Sequence, residues 1–343
     1  MHPYKRPPIG SIADLEAATI GDVRAFHATY YRPDNAVLIV AGNFDPAQMN
    51  AWVDRYFGQI QPPQAALPRV TVKEPPRTGS KAVTAYGPNV PLPAVAITWL
   101  APDAASPDAP ALTVLDAVLT AGESSRLFQT LVYHQQLAQN VFSSADLRQQ
   151  PGLFEVGAML ADGKTPQQGE AALLAELARI KAKPVTAAEL ERAKSQLVAQ
   201  AVRERETVQG RGFALGSAYW IEGDAASANS DIARLQAVTA ADVQRAARKY
   251  LPVGRRVVIR YLPDSARPAG AAGADIADAG SASVTAHALA DVQAPPPPPL
   301  PTTAPPWGRP SPPACRPPWS APWPTAFGSS WSSPPACPWS APT

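Results

Sequence analysis

At 343 residues the chain is long enough for two domains, and its formal net charge of +2 favours no nucleic-acid or other polyanionic partner. It has no run of 18 or more apolar residues, so no membrane span is predicted, and its first ten residues lack the apolar stretch of a signal peptide. Both cysteines, Cys315 and Cys337, lie near the C-terminus, so no disulfide or cysteine zinc site is predicted in the rest of the chain.

Residues 1–62 are predicted to contain a loop, three helices and one buried strand. Thr19 and Asp22 form a capping-box pattern at the start of the second helix. The predicted elements are helices at 12–18 and after Thr19, a strand at 36–41, and a helix from Pro46 that ends at Gly58. The apolar residues of this last helix are assigned to a core: Met49, Trp52, Val53, Tyr56 and Phe57.

Residues 63–80 are rich in proline and are predicted to link this part to a second region at 81–263. There the pattern predicts strands at 81–86, 93–100, 140–147, 153–160 and 255–262. Predicted helices cover 108–121, 125–137, 166–181, 186–206 and 208–221. Trp99 and Trp220 are expected in the core. Interleaved strands and helices indicate an α+β fold, a two-layer sandwich with the helices on one face of the sheet.

Residues 11–30 and 231–250 are two copies of one sequence unit. At a constant offset of 220 residues, eight of the twenty positions are identical, including Val23 with Val243 and Tyr30 with Tyr250. A repeat this long indicates duplicated domains rather than a solenoid, whose repeats are about 20–50 residues. The second copy follows about 150 residues of foldable sequence, whereas the first follows ten. We therefore expect one partial and one complete copy of the same domain, the partial copy lacking its first part.

Residues 264–343 change in composition, first to Ala and Gly and then to Pro and Trp. Nineteen of the 41 prolines lie between Pro295 and Pro342. Such a segment has too little aliphatic surface to offset its ordering entropy, so we predict a disordered tail. The alternative is a proline-motif ligand for an SH3- or WW-type partner.

Several stretches resemble the pitrilysin/insulinase family of zinc metallopeptidases. They are HPYKRPPIGS, DLEAATIGDVRAFHATYYRPDNAVLIVAGNFD, AGESSRLFQTLV, LAQNVFSSADL, VTAAELERAKSQL and LQAVTAADVQRAARKYL. The resemblance covers residues 1–263 and implies paired α+β domains that enclose a peptide substrate. It identifies 1–62 as the C-terminal part of the first, catalytic-type domain and 81–263 as the second, non-catalytic domain.

The family's zinc site is expected to be missing from this chain. In the family, His-x-x-Glu-His on a helix supplies two zinc ligands and the glutamate that activates water. The chain's histidines are His2, His27, His134 and His287, and no two are four residues apart. The family's motif would precede the HPY stretch, so we predict no catalytic residue, no metal ligand and no bound zinc here, although the parent family uses zinc.

The resemblance also implies substrate-binding positions in the second domain. The family carries an Arg and a Tyr seven residues apart after the SRL motif, and Val132 and Gln139 occupy those positions here. Gln139 can still donate a hydrogen bond to a peptide. Arg126, of the SRL motif, is either a residue that grips peptide backbone or one that anchors the turn at the start of its helix.

The resemblance leads to two main functional hypotheses. In the first, the chain is a truncated zinc peptidase that retains the substrate-embracing domain and needs an upstream half that carries the zinc. In the second, it is a non-catalytic partner subunit or scaffold for a zinc-bearing subunit of the same family. A third hypothesis makes the Pro/Trp tail the functional part of an adaptor. The compartment is not predicted, although a periplasmic or secreted parent is consistent with the family.

Overall fold

The computed structural model describes residues 3–5, 10–269 and 274–275. The N-terminal segment, which we define as residues 11–57, contains α1 (Ile12–Ala17), α2 (Ile20–Tyr30) and α3 (Pro46–Phe57). Each helix begins at a capping side chain: Ser11, Thr19 and Asp45. At Thr19 the hydroxyl accepts from the Asp22 amide at 3.2 Å and the Asp22 carboxylate accepts from the Thr19 amide at 2.8 Å. These reciprocal bonds satisfy backbone donors that the first helical turn leaves free.

The predicted strand at 36–41 is wrong as a strand. The chain is extended there, but among the described residues it pairs with no other strand, and Val37, Leu38, Ile39 and Val40 are all exposed. A strand requires a partner for its backbone donors and acceptors, and periodicity alone does not supply one.

The expected core around α3 is also incomplete. Trp52, Tyr56 and Phe57 are exposed, while Met49 and Val53 are half-buried. None of the three helices of the N-terminal segment has a buried residue. The apolar faces predicted from the sequence are therefore present, but no second layer of the described residues covers them.

Residues 81–263, which we call the sheet domain, contain five strands arranged in one mixed sheet. The strands are β1 (Lys81–Gly87), β2 (Ala94–Leu100), β3 (Ala138–Asp146), β4 (Leu153–Leu160) and β5 (Val257–Pro263). Their spatial order is β3-β4-β2-β5-β1. All neighbours are antiparallel except β5 and β1, which run parallel with Lys81 opposite Val257. Two further residues, Ala274–Asp275, pair with β1.

The helices of the sheet domain are α4 (Ala109–Thr120), α5 (Pro166–Ala182), α6 (Ala187–Glu204), α7 (Val208–Glu222), α8 (Asp231–Ala237) and α9 (Ala240–Tyr250). Helices α4 and α5 pack on the sheet, and α6 and α9 pack on them. The largest buried side chains of this layer include Trp99, Phe154, Leu115, Leu177 and Leu119. This confirms the predicted two-layer α+β sandwich.

Two predictions for the sheet domain are corrected. The helix expected at 125–137 is a π-helix over most of its length, Phe128–His134. Trp99 is buried as predicted, but Trp220 is 68% exposed on α7 and does not belong to the core. Only Ala218 of α7 is buried, because this helix lies outside the main layer.

A buried carboxylate fastens α4 to α9. Asp108, directly before α4, accepts hydrogen bonds from Arg245, from Lys249 at 2.7 Å and from the Tyr250 hydroxyl at 2.8 Å. Burial opposes ionisation of Asp108, but the three donors together keep its pKa well below the usual range. Tyr250, in the second copy of the repeat, thereby helps to hold α9 against the start of α4.

Among residues 3–5 and 10–269, no helix has the length and apolar character needed to cross a membrane. Of the predicted disordered tail, 264–269 and 274–275 are described, and the remainder lies outside the described residues.

Candidate functional site

Arg126 is held by a carboxylate from a distant helix. Its Nε donates to Glu189 Oε1 at 2.6 Å and its Nη2 to Glu189 Oε2 at 2.9 Å. Glu189 lies in the first turn of α6 and also accepts from the amide and hydroxyl of Thr186, both at 2.8 Å. The pair therefore joins the start of the π-helix to the start of α6. Two neighbouring N–H groups along one edge of the Arg126 guanidinium are thus both engaged by Glu189.

Glu189 is expected to make stability depend on acid pH. The Arg126 guanidinium is the main reason that the pKa of Glu189 falls from 4.5 to about 2. A depressed pKa adds stability above pH 4.5 that is lost as pH falls towards 2. Discounted for partial exposure, we expect a loss of about 1–2 kcal/mol in the free energy of unfolding.

Urea titrations between pH 2 and pH 6 measure this loss. Glu189→Gln keeps an acceptor for Thr186 but cannot titrate, so its unfolding free energy should fall less steeply over the same range. Equal slopes for the two proteins would contradict the assignment.

The π-helix presents polar side chains at its end. A π-helix is rare and usually occurs as a single widened turn, often at functional sites. Beyond it, Gln136 has a φ of 48°, in the left-handed region that non-glycine residues seldom adopt. Val132, one of the two positions at which the family carries its Arg and Tyr, lies within the π-helix and packs partly against the core. The chain therefore turns sharply between the π-helix and β3.

Gln139 lies at a β-bulge on the edge strand. Ala138 is opposite Leu160 and Asn140 is opposite Met159, so Gln139 is the extra residue, and it is exposed. Together with exposed side chains at the end of the π-helix it forms an amide-rich surface: Tyr133, His134, Gln135, Gln136, Gln139 and Asn140. Sequence reasoning singled out only Gln139 in this cluster. The run of glutamines after the helix was the available signal for the others.

The outer edge of β3 is partly closed by side chains. The Val141 amide donates to Asn140 Oδ1 at 2.9 Å, and the Ala145 amide donates to Asp116 Oδ2 at 3.4 Å. Asp116 also accepts from the Ser143 hydroxyl, and burial raises its pKa despite these bonds. Edge strands are commonly protected in this way against pairing with other chains.

The described residues contain no group of three or more His, Cys, Asp or Glu side chains placed to hold a metal ion. His27 is exposed on α2 and stacks on Tyr31 at 4.8 Å, while His134 is exposed at the end of the π-helix. His2 and His287 lie outside the described residues. The side chains in this part of the chain do not fit a zinc site, which usually has three or four ligands.

Several known proteins are similar to this chain in sequence. Residues 17–197, just over half of the chain, match a family described as the peptidase M16 inactive domain. The zinc protease PqqE of Helicobacter pylori is 30% identical over 197 residues, which are 56% of this chain and 44% of that protein. An uncharacterized zinc protease of Streptomyces coelicolor is 31% identical over 265 residues, 73% of this chain and 55% of that protein. The chain thus spans about half the length of these relatives.

Two solved structures are similar to this fold. A protease from Helicobacter pylori matches with a TM-score of 0.71 and 25% identity, over 76% of this chain and 63% of that one. A peptidase M16 inactive domain from Pseudomonas fluorescens matches with a TM-score of 0.65 and 20% identity, over 77% and 62%, and at that identity shows the fold alone. The chain belongs to the peptidase M16 family of zinc proteases and carries the family's inactive, non-catalytic domain.

Proposed function

We propose that this chain forms the non-catalytic wall of a peptide-binding chamber and acts with a zinc-bearing half of the same family. That half either precedes it in one polypeptide or is a separate subunit. Hydrolysis of peptide bonds then requires both halves, because the zinc ligands and the water-activating glutamate belong to the other one.

The duplicated unit carries this proposal, because an identical residue is buried in the second copy and exposed in the first. In the sheet domain, Val243 of α9 packs against the helix layer and is 0% exposed. Its counterpart Val23, at the same position of α2, is 58% exposed. An uncovered apolar face of this kind marks an interaction surface. This exposure supports our inference that the N-terminal segment is part of a domain whose other helices and strands belong to the zinc-bearing half.

Two residues receive roles within this proposal. Arg126 is a positioning residue that, through Glu189, holds the π-helix in place. Gln139, exposed at the bulge of β3, donates a hydrogen bond to the backbone of a bound peptide. The amide-rich surface around Gln139 supports this role, since neutral donors and acceptors suit a peptide backbone without selecting for its charge.

The zinc prediction tests the proposal directly. We infer that the isolated chain binds no zinc tightly, because no described set of side chains fits the ion. Metal analysis of the purified chain after mild chelation should give well below one zinc per chain, and an unstructured peptide should stay intact. Stoichiometric zinc with chelator-sensitive cleavage by the isolated chain would overturn the proposal.

A second measurement concerns the other half. The tagged chain, purified from its native host, should bring with it about one zinc per complex and chelator-sensitive peptidase activity. Sequencing the reading frame ahead of Met1 then separates the two arrangements. A His-x-x-Glu-His motif in the same frame assigns the chain to one longer protease, whereas its presence only in a co-purified protein makes the chain a partner subunit.

A further inference from the structure

A cavity of about 300 Å³ opens where the linker 63–80 meets the end of β2 and the turn that follows α9. Most of its wall is apolar and is supplied by Pro76, Trp99, Leu100, Tyr250 and Pro252. Trp99 Nε1 donates to the Pro252 carbonyl at 3.0 Å, so the indole nitrogen has its partner and this side of the wall is held in place.

The charged side chains that line this cavity are all cationic. They come from three separate segments: Arg77 from the linker, Lys249 from α9 and Arg255 from the turn after it. No carboxylate in the described part of the chain joins them in the lining. Lys249 donates to Asp108 at 2.7 Å, but Asp108 also accepts from Arg245, so this one carboxylate faces two cations. The cavity therefore has a surplus of positive charge, which attracts an anion.

Arg77 keeps one edge of its guanidinium for a ligand. Its Nη1 donates to the Thr98 carbonyl at 2.8 Å, and no described group accepts from its Nε or Nη2. These two N–H groups form an edge that can hold both oxygens of a carboxylate. Arg77 is half-buried, and this burial lowers its pKa despite the opposing effect of Glu74. A partly desolvated guanidinium without a paired carboxylate is stabilised when an anion binds to it.

Arg255 supplies a second guanidinium from an ordered turn. Its side chain is exposed and forms no ion pair with a described residue. Two hydrogen bonds fix the turn Val253–Arg255. The Arg255 amide donates to the Pro252 carbonyl at 3.1 Å, and Arg256 Nη1 donates to the Val253 carbonyl at 2.7 Å. Because the backbone is already ordered, binding here loses less entropy than binding to a mobile loop.

We propose that this cavity binds the C-terminal residue of a peptide, with the free α-carboxylate at Arg77 and Arg255 and an apolar side chain against the wall. The edge of a guanidinium matches the two oxygens of a carboxylate. The apolar wall favours this ligand over a free inorganic anion, because such an ion would lose water there and would bury no apolar group in return.

This inference rests on the proposed function, because it takes a peptide as the ligand of a peptidase domain. The two binding regions differ in what they recognise. The amide-rich surface around Gln139 offers neutral hydrogen bonds to any part of a peptide backbone, whereas the cavity at Arg77 and Arg255 recognises only a free end with an apolar final residue.

The probe is a rhodamine-labelled peptide, Gly-Ser-Gly-Ala-Leu with a free C-terminal carboxylate, and its control is the same peptide with a C-terminal amide. Fluorescence anisotropy with the full chain should show saturable binding of the acid and at least about tenfold weaker binding of the amide, because the charged hydrogen bonds are lost. A peptide acid that ends in serine should also bind more weakly than the leucine peptide, since it buries less apolar surface.

Two variants of the chain separate the cavity from general attraction by positive charge. Arg255→Gln should weaken binding of the acid at least about tenfold and leave binding of the amide unchanged. Arg203→Gln removes an exposed charge of α6 that does not line the cavity, so it should change neither affinity. Both side chains are exposed, so neither substitution is expected to disturb folding.

Equal affinities for the acid and the amide, or equal weakening by Arg255→Gln and Arg203→Gln, would overturn the inference. Displacement of the peptide by inorganic phosphate at a similar concentration would also overturn it, because the cavity would then be a simple anion site. The zinc and peptidase activity that co-purify with the chain test the proposed function separately. If both are found while acid and amide bind alike, the inference is wrong and the proposed function stands.

Discussion

Val243→Asp is expected to unfold the sheet domain, whereas Val23→Asp is expected to change its stability very little. Val243 is fully buried between α9 and the helix layer, so a carboxylate there has neither water nor a cation to stabilise it. We expect a loss of more than about 4 kcal/mol in the free energy of unfolding, a large part of the total for a typical domain. Thermal unfolding followed by far-UV circular dichroism measures the loss.

Val23 is a close control, because it is the same residue at the same position of the repeated unit. Its side chain is 58% exposed, so the carboxylate at this position stays hydrated, and a change within about 0.5 kcal/mol is expected. Similar losses for the two variants would mean that α2 is packed as tightly as α9. That result would contradict the view that the N-terminal segment lacks its partner layer.

Amide hydrogen exchange is expected to divide the chain into two regions of very different protection. Strands β2 and β4 lie inside the sheet, with Ile97 opposite Val156 and buried side chains on the helix side. Their amides should exchange only when the domain opens, which at a typical stability of 5 kcal/mol or more slows exchange at least about a thousandfold.

The N-terminal segment should exchange much faster. None of α1, α2 and α3 has a buried residue, and short helices without packing are marginal in water. Segment 36–41 has no ladder partner among the described residues, so Val37–Val40 should exchange faster than Val257–Ile259. Equally slow exchange of Val37–Val40 and Val257–Ile259 in a monomeric preparation would show that segment 36–41 has found a complete fold without a partner half. Slower exchange of 11–57 on adding the zinc-bearing half is the result that our proposal requires.

The sequence by itself determined the features that depend on near neighbours. The capping box at Thr19 starts α2 as predicted, because a side chain and an amide three residues apart satisfy each other within one turn. The alternation of strands and helices in 81–263 indicated the two-layer sandwich, and the structure confirms it. The repeat at an offset of 220 residues was visible in the sequence alone.

Partners that are distant in the chain were decided only by the tertiary structure. Segment 36–41 has the pattern of a buried strand, yet a strand exists only where a second strand meets it, and none does so among the described residues. Trp220 was expected in the core, but α7 lies on segment 36–41 outside the main layer, so the indole is exposed.

The candidate site also combines features set by near neighbours with features set by distant partners. The SRL motif singled out Arg126, but its partner Glu189 is 63 residues further along and could not be read from the spacing. The bulge at Gln139 and the left-handed Gln136 arise where the π-helix must turn into an edge strand. Local hydrogen bonding and periodicity act over a few residues and can be read directly, whereas burial, pairing and ion partners depend on which distant segments the fold brings together.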